Sequence, residues 1–249
     1  MMLKLKDHII MKNFFEKIRF KYIQPQENKK GIKYKIYKKI KKTFKIDDIL
    51  NLDISKLNEE DKEYLYQMRK IKDTAHMGTP AIGLMINNIC RTFDQNQIFL
   101  NIGAYRGFST VSGMINTSCE VHSVDNFSEF DGPEEILLRN FNTFKKSNHF
   151  FHKMDYLKFL ENWNKKINFY IYDAGHSYED QYKNLEIAKD FFDKDCLIYI
   201  DDLNLKEVVD ATKDFLSKYK NEFKIIREQY TGFNTHPTYW DGFMLFQKN

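Results

Sequence analysis

The apolar and polar positions of the chain follow two different periods. From residue 98 onward, short apolar runs alternate with amphipathic stretches. Ile98-Phe99-Leu100-Asn101-Ile102 predicts a strand closed by Gly103, and Phe108-Ser109-Thr110-Val111 opens a helix. Val121–Asp125, Phe150–Asp155, Ile167–Asp173 and Cys196–Asp202 predict four more strands, with helices over 134–146, 182–192 and 208–219. Phe223–Gln229 and Tyr239–Gln247 predict two last strands with no helix between them, hence an antiparallel pair. Before residue 98 the period is helical. Phe14, Phe15, Ile18 and Tyr22 form one apolar set, and Ile32, Ile36 and Ile40 form a second, with a break at Gln24-Pro25-Gln26-Glu27-Asn28. Residues 46–75 read as polar and helical, with Leu57, Tyr64, Leu65 and Met68 as core candidates. Ile82, Met85, Ile86 and Ile89 share one face of an apolar helix over 81–91.

Strands alternating with helices predict an α/β fold. The expected form is a Rossmann-like, doubly wound sheet, mostly parallel with an antiparallel C-terminal strand, carrying a basic helical N-terminal extension. Such sheets bind ligands outside the carboxyl ends of their strands. Those ends carry Gly103, Asp125, Asp155, Asp173, Asp201 and Asp202. So many acids around one crevice call for a cation or a hydroxyl-rich ligand.

Charge sharpens the division. Of 39 Lys+Arg and 35 Asp+Glu, residues 1–45 hold 15 basic and three acidic, and the rest holds 24 and 32. We therefore expect two parts, residues 1–75 as a basic, mainly helical extension and 76–249 as the catalytic domain, with a chain starting near Asp47 still folding. The basic part reads either as solvated helices packed on the domain or as a surface for an anionic membrane, a lipid-linked substrate or nucleic acid. No zinc-finger or RNP pattern supports specific nucleic-acid recognition. Cys90, Cys119 and Cys196 have neither metal-site nor disulfide-framework spacing. No apolar run approaches the roughly 18 residues of a membrane span, and Met1–His8 lacks the apolar core of a signal peptide. The expected location is cytoplasmic.

Gly103-Ala104-Tyr105-Arg106-Gly107 is a G-x-x-x-G turn. It lacks the middle glycine of a dinucleotide loop, which lets a pyrophosphate approach the backbone, and it lacks a P-loop lysine. A cofactor without phosphates fits better. Asp125, 22 positions after Gly103, can accept both hydroxyls of a ribose. The turn alone is equally explained by close packing of small residues. With Asp125 and the terminal strand pair it points to S-adenosylmethionine.

Three segments in order strengthen that expectation. Phe99–Thr110 resembles the first motif of class I S-adenosylmethionine-dependent methyltransferases. Tyr172-Asp173-Ala174-Gly175-His176-Ser177-Tyr178-Glu179 and Ile200-Asp201-Asp202 resemble the macrocin-type sugar O-methyltransferases of the methyltransferase-24-like group. The resemblance covers about residues 80–249. It implies cofactor contacts from Asn101, Gly103, Tyr105, Gly107, Ser109, Asp125, Asp155 and Asp173. It implies a divalent metal on Asp173, Asp201 and Asp202, and His176 as general base. Asn101 departs from the acidic residue usual at its position. Hard oxygen donors without cysteine suit Mg²⁺, with Mn²⁺ or Ca²⁺ as alternatives. His176 also precedes a helix start, Ser177 to Asp180, and Asp155 would serve equally as a helix cap. His122 and His152 fall within strands and read as structural. His236, Tyr239 and Trp240 are weaker candidates for acceptor contacts.

The implied activity is metal-dependent methyl transfer to a hydroxyl of a sugar or other polyol, the acceptor being a glycan or nucleotide-linked sugar. Phenolic, catechol-type methylation and a non-catalytic adenosyl- or partner-binding module are the alternatives. Peripheral membrane contact through the basic segment and a homo-oligomer are further expectations.

Overall fold

A computed structural model describes residues 11–44, 48–71, 77–129 and 132–249; the reading of Met1–His8 lies outside them. Residues 11–17 are helical (α1). They are followed by α2 (Ile32–Phe44), α3 (Glu59–Met68) and α4 (Pro80–Cys90), and then by the sheet domain. Its elements are β1 (Ile98–Ile102), α5 (Phe108–Met114), β2 (Glu120–Asp125), α6 (Glu134–Phe144), β3 (His149–Lys153), α7 (Tyr156–Glu161), β4 (Ile167–Tyr172), α8 (Tyr178–Ala188), β5 (Phe192–Asp201), α9 (Lys206–Lys218), β6 (Phe223–Gln229) and β7 (Phe243–Lys248). The seven strands lie in the order β3-β2-β1-β4-β5-β7-β6. The first five are parallel, and β7 runs antiparallel to both β5 and β6, between which it is inserted. The order reverses between β1 and β4, which opens a crevice at their carboxyl ends.

Alternation along the strands feeds two cores. Phe99, Phe169, Ile171, Leu197, Tyr199, Phe243 and Leu245 face one side, beneath α4 and α5. Leu100, Ile102, Tyr170, Tyr172, Ile198, Ile200, Met244 and Phe246 face the other, beneath α7, α8 and α9. Helix α7 has no counterpart among the predicted elements.

The N-terminal residues belong to the first of these cores, so the division at 75/76 is no break in packing. Met11, Phe14, Ile18 and Leu52 lie in the same cluster as Phe99 and Phe243. Phe15 stacks on Phe243 with ring centroids 6.1 Å apart, and Phe20 meets Tyr239 edge-on at 5.3 Å. Asp61, fully enclosed, takes Lys17 Nζ at 2.6 Å and Arg91 at 2.5 Å, which ties α1, α3 and α4 together. Burial alone would raise the Asp61 pKa, but these partners and Asn88 outweigh it and hold it low. The sheet also leans on this segment at Gly232, whose N–H donates to Pro25 O at 2.9 Å.

The apolar face read for the second helix is turned outward. Ile32, Ile36 and Ile40 are exposed, and Tyr34 and Tyr37 take the buried side against Ile23, Leu50 and Phe233. A tyrosine can bury its ring while its hydroxyl finds a partner. Tyr37 does so by donating to Asp48 Oδ1 at 2.6 Å, which an isoleucine cannot.

Candidate active site

The crevice is built around Gly103. Its φ is +86°, and a Cβ there would fall 1.6 Å from the carbonyl oxygen of Asp173. Only glycine lets the ends of β1 and β4 approach this closely. Asp173 N–H donates to Ile102 O at 2.9 Å and completes the junction. The turn is then fixed from the side by Asp125 at the end of β2. Its Oδ2 accepts from Ala104 N–H at 2.8 Å and Tyr105 N–H at 2.7 Å, and its Oδ1 accepts from Phe127 N–H at 2.7 Å. An ionised carboxylate has about four acceptor positions, so Asp125 holds the turn and retains capacity toward the cleft.

The cleft above this turn has a volume of about 270 Å³. Gly103, Tyr105, Asp125, Asp155 and Asp173 line it, as does His176. Asp155 both borders the cleft and caps α7, accepting from Leu157 N–H at 3.0 Å. Ser109 lines a narrower side cavity with Tyr105 and Asp173. Gly107 and Asn101 line neither. Gly107 supplies the left-handed residue that starts α5. Asn101 is fully buried, and its amide donates to Thr110 Oγ1 at 3.0 Å, which in turn meets Ser123 Oγ at 2.7 Å. Strand alternation puts this side chain under α5, where it pins the helix to β1 and β2 instead of facing the cleft.

Asp173, His176 and Asp202 converge. One donor atom of each lies within 4.8 Å of the other two, the one such group of three among the described residues. His176 Nε2 is 2.9 Å from Asp202 Oδ2 and 3.9 Å from Asp173 Oδ1. Asp201 does not join them. It points with Tyr199 toward the α4 side, accepts the Tyr199 hydroxyl at 3.0 Å and lines the side cavity. Consecutive strand residues face opposite ways, and Asp202 has left the strand with φ +55°. That turn aims Asp202 into the cleft, and His176 takes the place the sequence reading gave to Asp201.

The local field matches this crowding. Of the cleft residues, Asp125, Glu129, Asp155, Asp173, Asp180 and Asp202 are acidic, and no lysine or arginine is among those described. Enclosure, then the charges of Asp202 and Asp125, push the Asp173 pKa well above the usual carboxylate range. Burial, then Asp173 and Asp202, does the same to Asp201. Asp202 raises the His176 pKa by direct contact, against the effect of burial. Two carboxylates beside an imidazole, with no lysine or arginine among the described cleft residues, suit a divalent cation.

Asn126, Phe127, Ser128, Glu129, Tyr156 and Asp180 also line the cleft and were not singled out from sequence. Five of the six lie within four residues of a strand-end acid that was, so extending each acid by one turn of loop would have found them. The other named histidines stand elsewhere. His122 and His152 contact each other at 2.9 Å (Nδ1 to Nε2) on the far strands. His236 and Tyr239 are buried, Tyr239 against the N-terminal segment.

The comparisons with known proteins agree with this fold. Residues 100–203 match a family model described as a methyltransferase domain. No protein of curated function matches the chain. Similar solved structures include an O-methyltransferase from Bacillus cereus in complex with S-adenosylhomocysteine, at 16% identity and TM-score 0.55, covering 79% of this chain and 95% of that one. The O-methyltransferase TomG from Streptomyces achromogenes, involved in tomaymycin synthesis and solved with S-adenosylmethionine, is 12% identical with TM-score 0.54, over 77% of this chain and 90% of its own. An S-adenosylhomocysteine-bound methyltransferase from Podospora anserina is 12% identical with TM-score 0.54, over 78% and 89%. Residues 100–203 are thus similar to a methyltransferase domain, and the chain has the fold of these solved S-adenosylmethionine-dependent methyltransferases.

Proposed function

We propose that this enzyme methylates a hydroxyl of a sugar or other polyol, using S-adenosylmethionine and a divalent metal. The observation that carries the reading is the convergence of Asp173, His176 and Asp202 beside the Gly103 turn. The Asp125 carboxylate, anchored by three backbone N–H groups, presents its remaining lone pairs to the ribose hydroxyls. The α5 helix start behind the turn favours the cofactor's carboxylate. Asp173 and Asp202 would hold the metal, leaving the His176 imidazole beside it and unligated. A bound divalent ion lowers the pKa of an acceptor hydroxyl and aligns its oxygen.

His176, 2.9 Å from Asp202, would then remove the hydroxyl proton. Contact with Asp202 raises its pKa above the usual histidine value, which makes the neutral ring a stronger proton acceptor. The products are the methyl ether and S-adenosylhomocysteine. A neutral glycan fits an acceptor site walled by carboxylates and the amide of Asn126, which hydrogen-bond hydroxyls, better than a nucleotide-linked sugar, whose phosphates those carboxylates repel.

The test is an acceptor screen with methyl-labelled S-adenosylmethionine, run with and without chelator. Turnover on polyols should vanish with chelator and return with Mg²⁺ or Mn²⁺. His176→Ala should lower kcat about 10²–10⁴-fold and leave cofactor affinity unchanged. Full turnover in chelator would overturn the metal role, and a fully active His176→Ala would remove the base.

A further inference from the structure

Among the described residues, helix α2 is attached to the body along one side. Tyr34 meets the Phe233 ring edge-on at 5.1 Å, and Lys41 pairs with Asp48 at 2.8 Å, next to the Tyr37 contact with the same carboxylate. Away from that seam, Ile32, Ile36, Ile40 and Phe44 follow one another at intervals of four and form a continuous ridge. They are 76, 54, 38 and 68% exposed. The helix carries six lysines and no acidic residue. On the helical wheel Lys35, Lys39 and Lys42 lie beyond the Ile32 edge of the ridge, away from the tyrosines, whereas Lys38 turns back over the Tyr34 ring, 5.6 Å from its centroid.

We infer that α2 is an interfacial helix that docks the enzyme on an anionic lipid bilayer. In that pose the isoleucine ridge enters the acyl boundary and the lysines reach the headgroup phosphates. The pattern separates this occupant from others. A nucleic-acid backbone would use the lysines and leave the four apolar side chains in water. A second copy across a two-fold axis would set two acid-free, six-lysine helices against each other, which repel. A bilayer satisfies the ridge and the charge together. The seat of α2 is also linked through the chain to the end of β5. Phe233 belongs to the loop 230–242, which returns to the end of β5 where Asn204 N–H donates to Asp241 O at 2.7 Å.

The experiment is flotation of the full chain with phosphatidylcholine vesicles containing phosphatidylglycerol, and with phosphatidylcholine alone. Binding should require the anionic lipid and fall with added salt. The double variant I36S/I40S should lose about tenfold in partitioning per isoleucine. K35E/K39E should lose at least about fivefold per position. Both pairs are solvent-exposed, so melting temperature and cofactor affinity should match the parent chain. The inference is overturned if anionic vesicles do not bind, or if I36S/I40S floats like the parent. It is also overturned if the variants instead abolish a lipid-independent dimer or binding to double-stranded RNA.

Discussion

The cleft at the carboxyl ends of the strands and the N-terminal segment beside it concentrate charge in opposite ways. In the cleft, six acidic residues border one concave space, on backbone held in positive-φ turns at Gly103, Tyr105 and Asp202. In the N-terminal segment, lysines face outward from a convex helix, and the body is gripped by aromatic rings beneath. The cleft is crowded where a ligand would relieve it. The segment is settled where it touches the protein and unsettled where it does not. Net charge near balance conceals both.

The largest break in this comparison is to remove one side of it. A chain starting near Asp47 should fail to fold as a monomer. Met11, Phe14, Ile18, Ile23, Tyr34 and Tyr37 are each at most 7% exposed. Burying such side chains contributes about 1.5–3 kcal/mol apiece, against a total stability of about 5–15 kcal/mol. This reverses the expectation drawn from charge alone. A soluble truncation with a cooperative melt and full cofactor affinity would show that the segment is a mere appendage.

On the other side, Gly103→Ala should cost about 2–6 kcal/mol, from backbone strain and from the collision with Asp173. Denaturant melts would record it, together with loss of cofactor binding. Asp125→Ala is milder. It should weaken S-adenosylmethionine binding by about 1.5–3 kcal/mol per lost charged hydrogen bond in calorimetry, and unchanged affinity would remove the ribose assignment.

The smallest effect separates the groups by sign. Burial lowers His149, His152 and His236 to about 4. Their contribution is present above the unfolded-state pKa of about 6.5 and is lost as pH falls from there toward 4. Asp241, raised to about 6 by burial, does the opposite and gains as pH falls through 6. The melting temperature of the parent chain, measured against His236→Gln, should lose its advantage between pH 7.5 and 5, by up to a few degrees. A constant difference would show that His236 does not titrate on unfolding.

What could be read from the sequence was what local pattern determines. Runs such as Ile167–Tyr172 are apolar on both faces because both faces are covered, and they stand out without any alignment. The acids that end them mark the crevice for the same reason. Three features escaped because their causes are not local. Helix α7 spans only Tyr156–Glu161, too short to display a period. The inward turn of Tyr34 and Tyr37 depends on Asp48 and Phe233, the latter nearly two hundred residues on. The exchange of Asp201 for His176 in the converging group rests on one positive φ at Asp202, which no residue-type preference announces.

The place of β7 bears on how the molecule is made. β6 precedes β7 in the chain, yet among the described residues its one strand partner is β7, and β7 must also cover the edge of β5. During synthesis, β6 therefore leaves the ribosome before the strand it needs, and the parallel half of the sheet waits with an open edge. Open edges invite pairing with other chains, and long-range pairings form slowly. Phe243, which seats Phe15 from the far end of the chain, arrives with the same strand. Completion of the sheet and capture of the N-terminal segment thus become one late event, and nascent chains lacking β7 should be the species that chaperones hold.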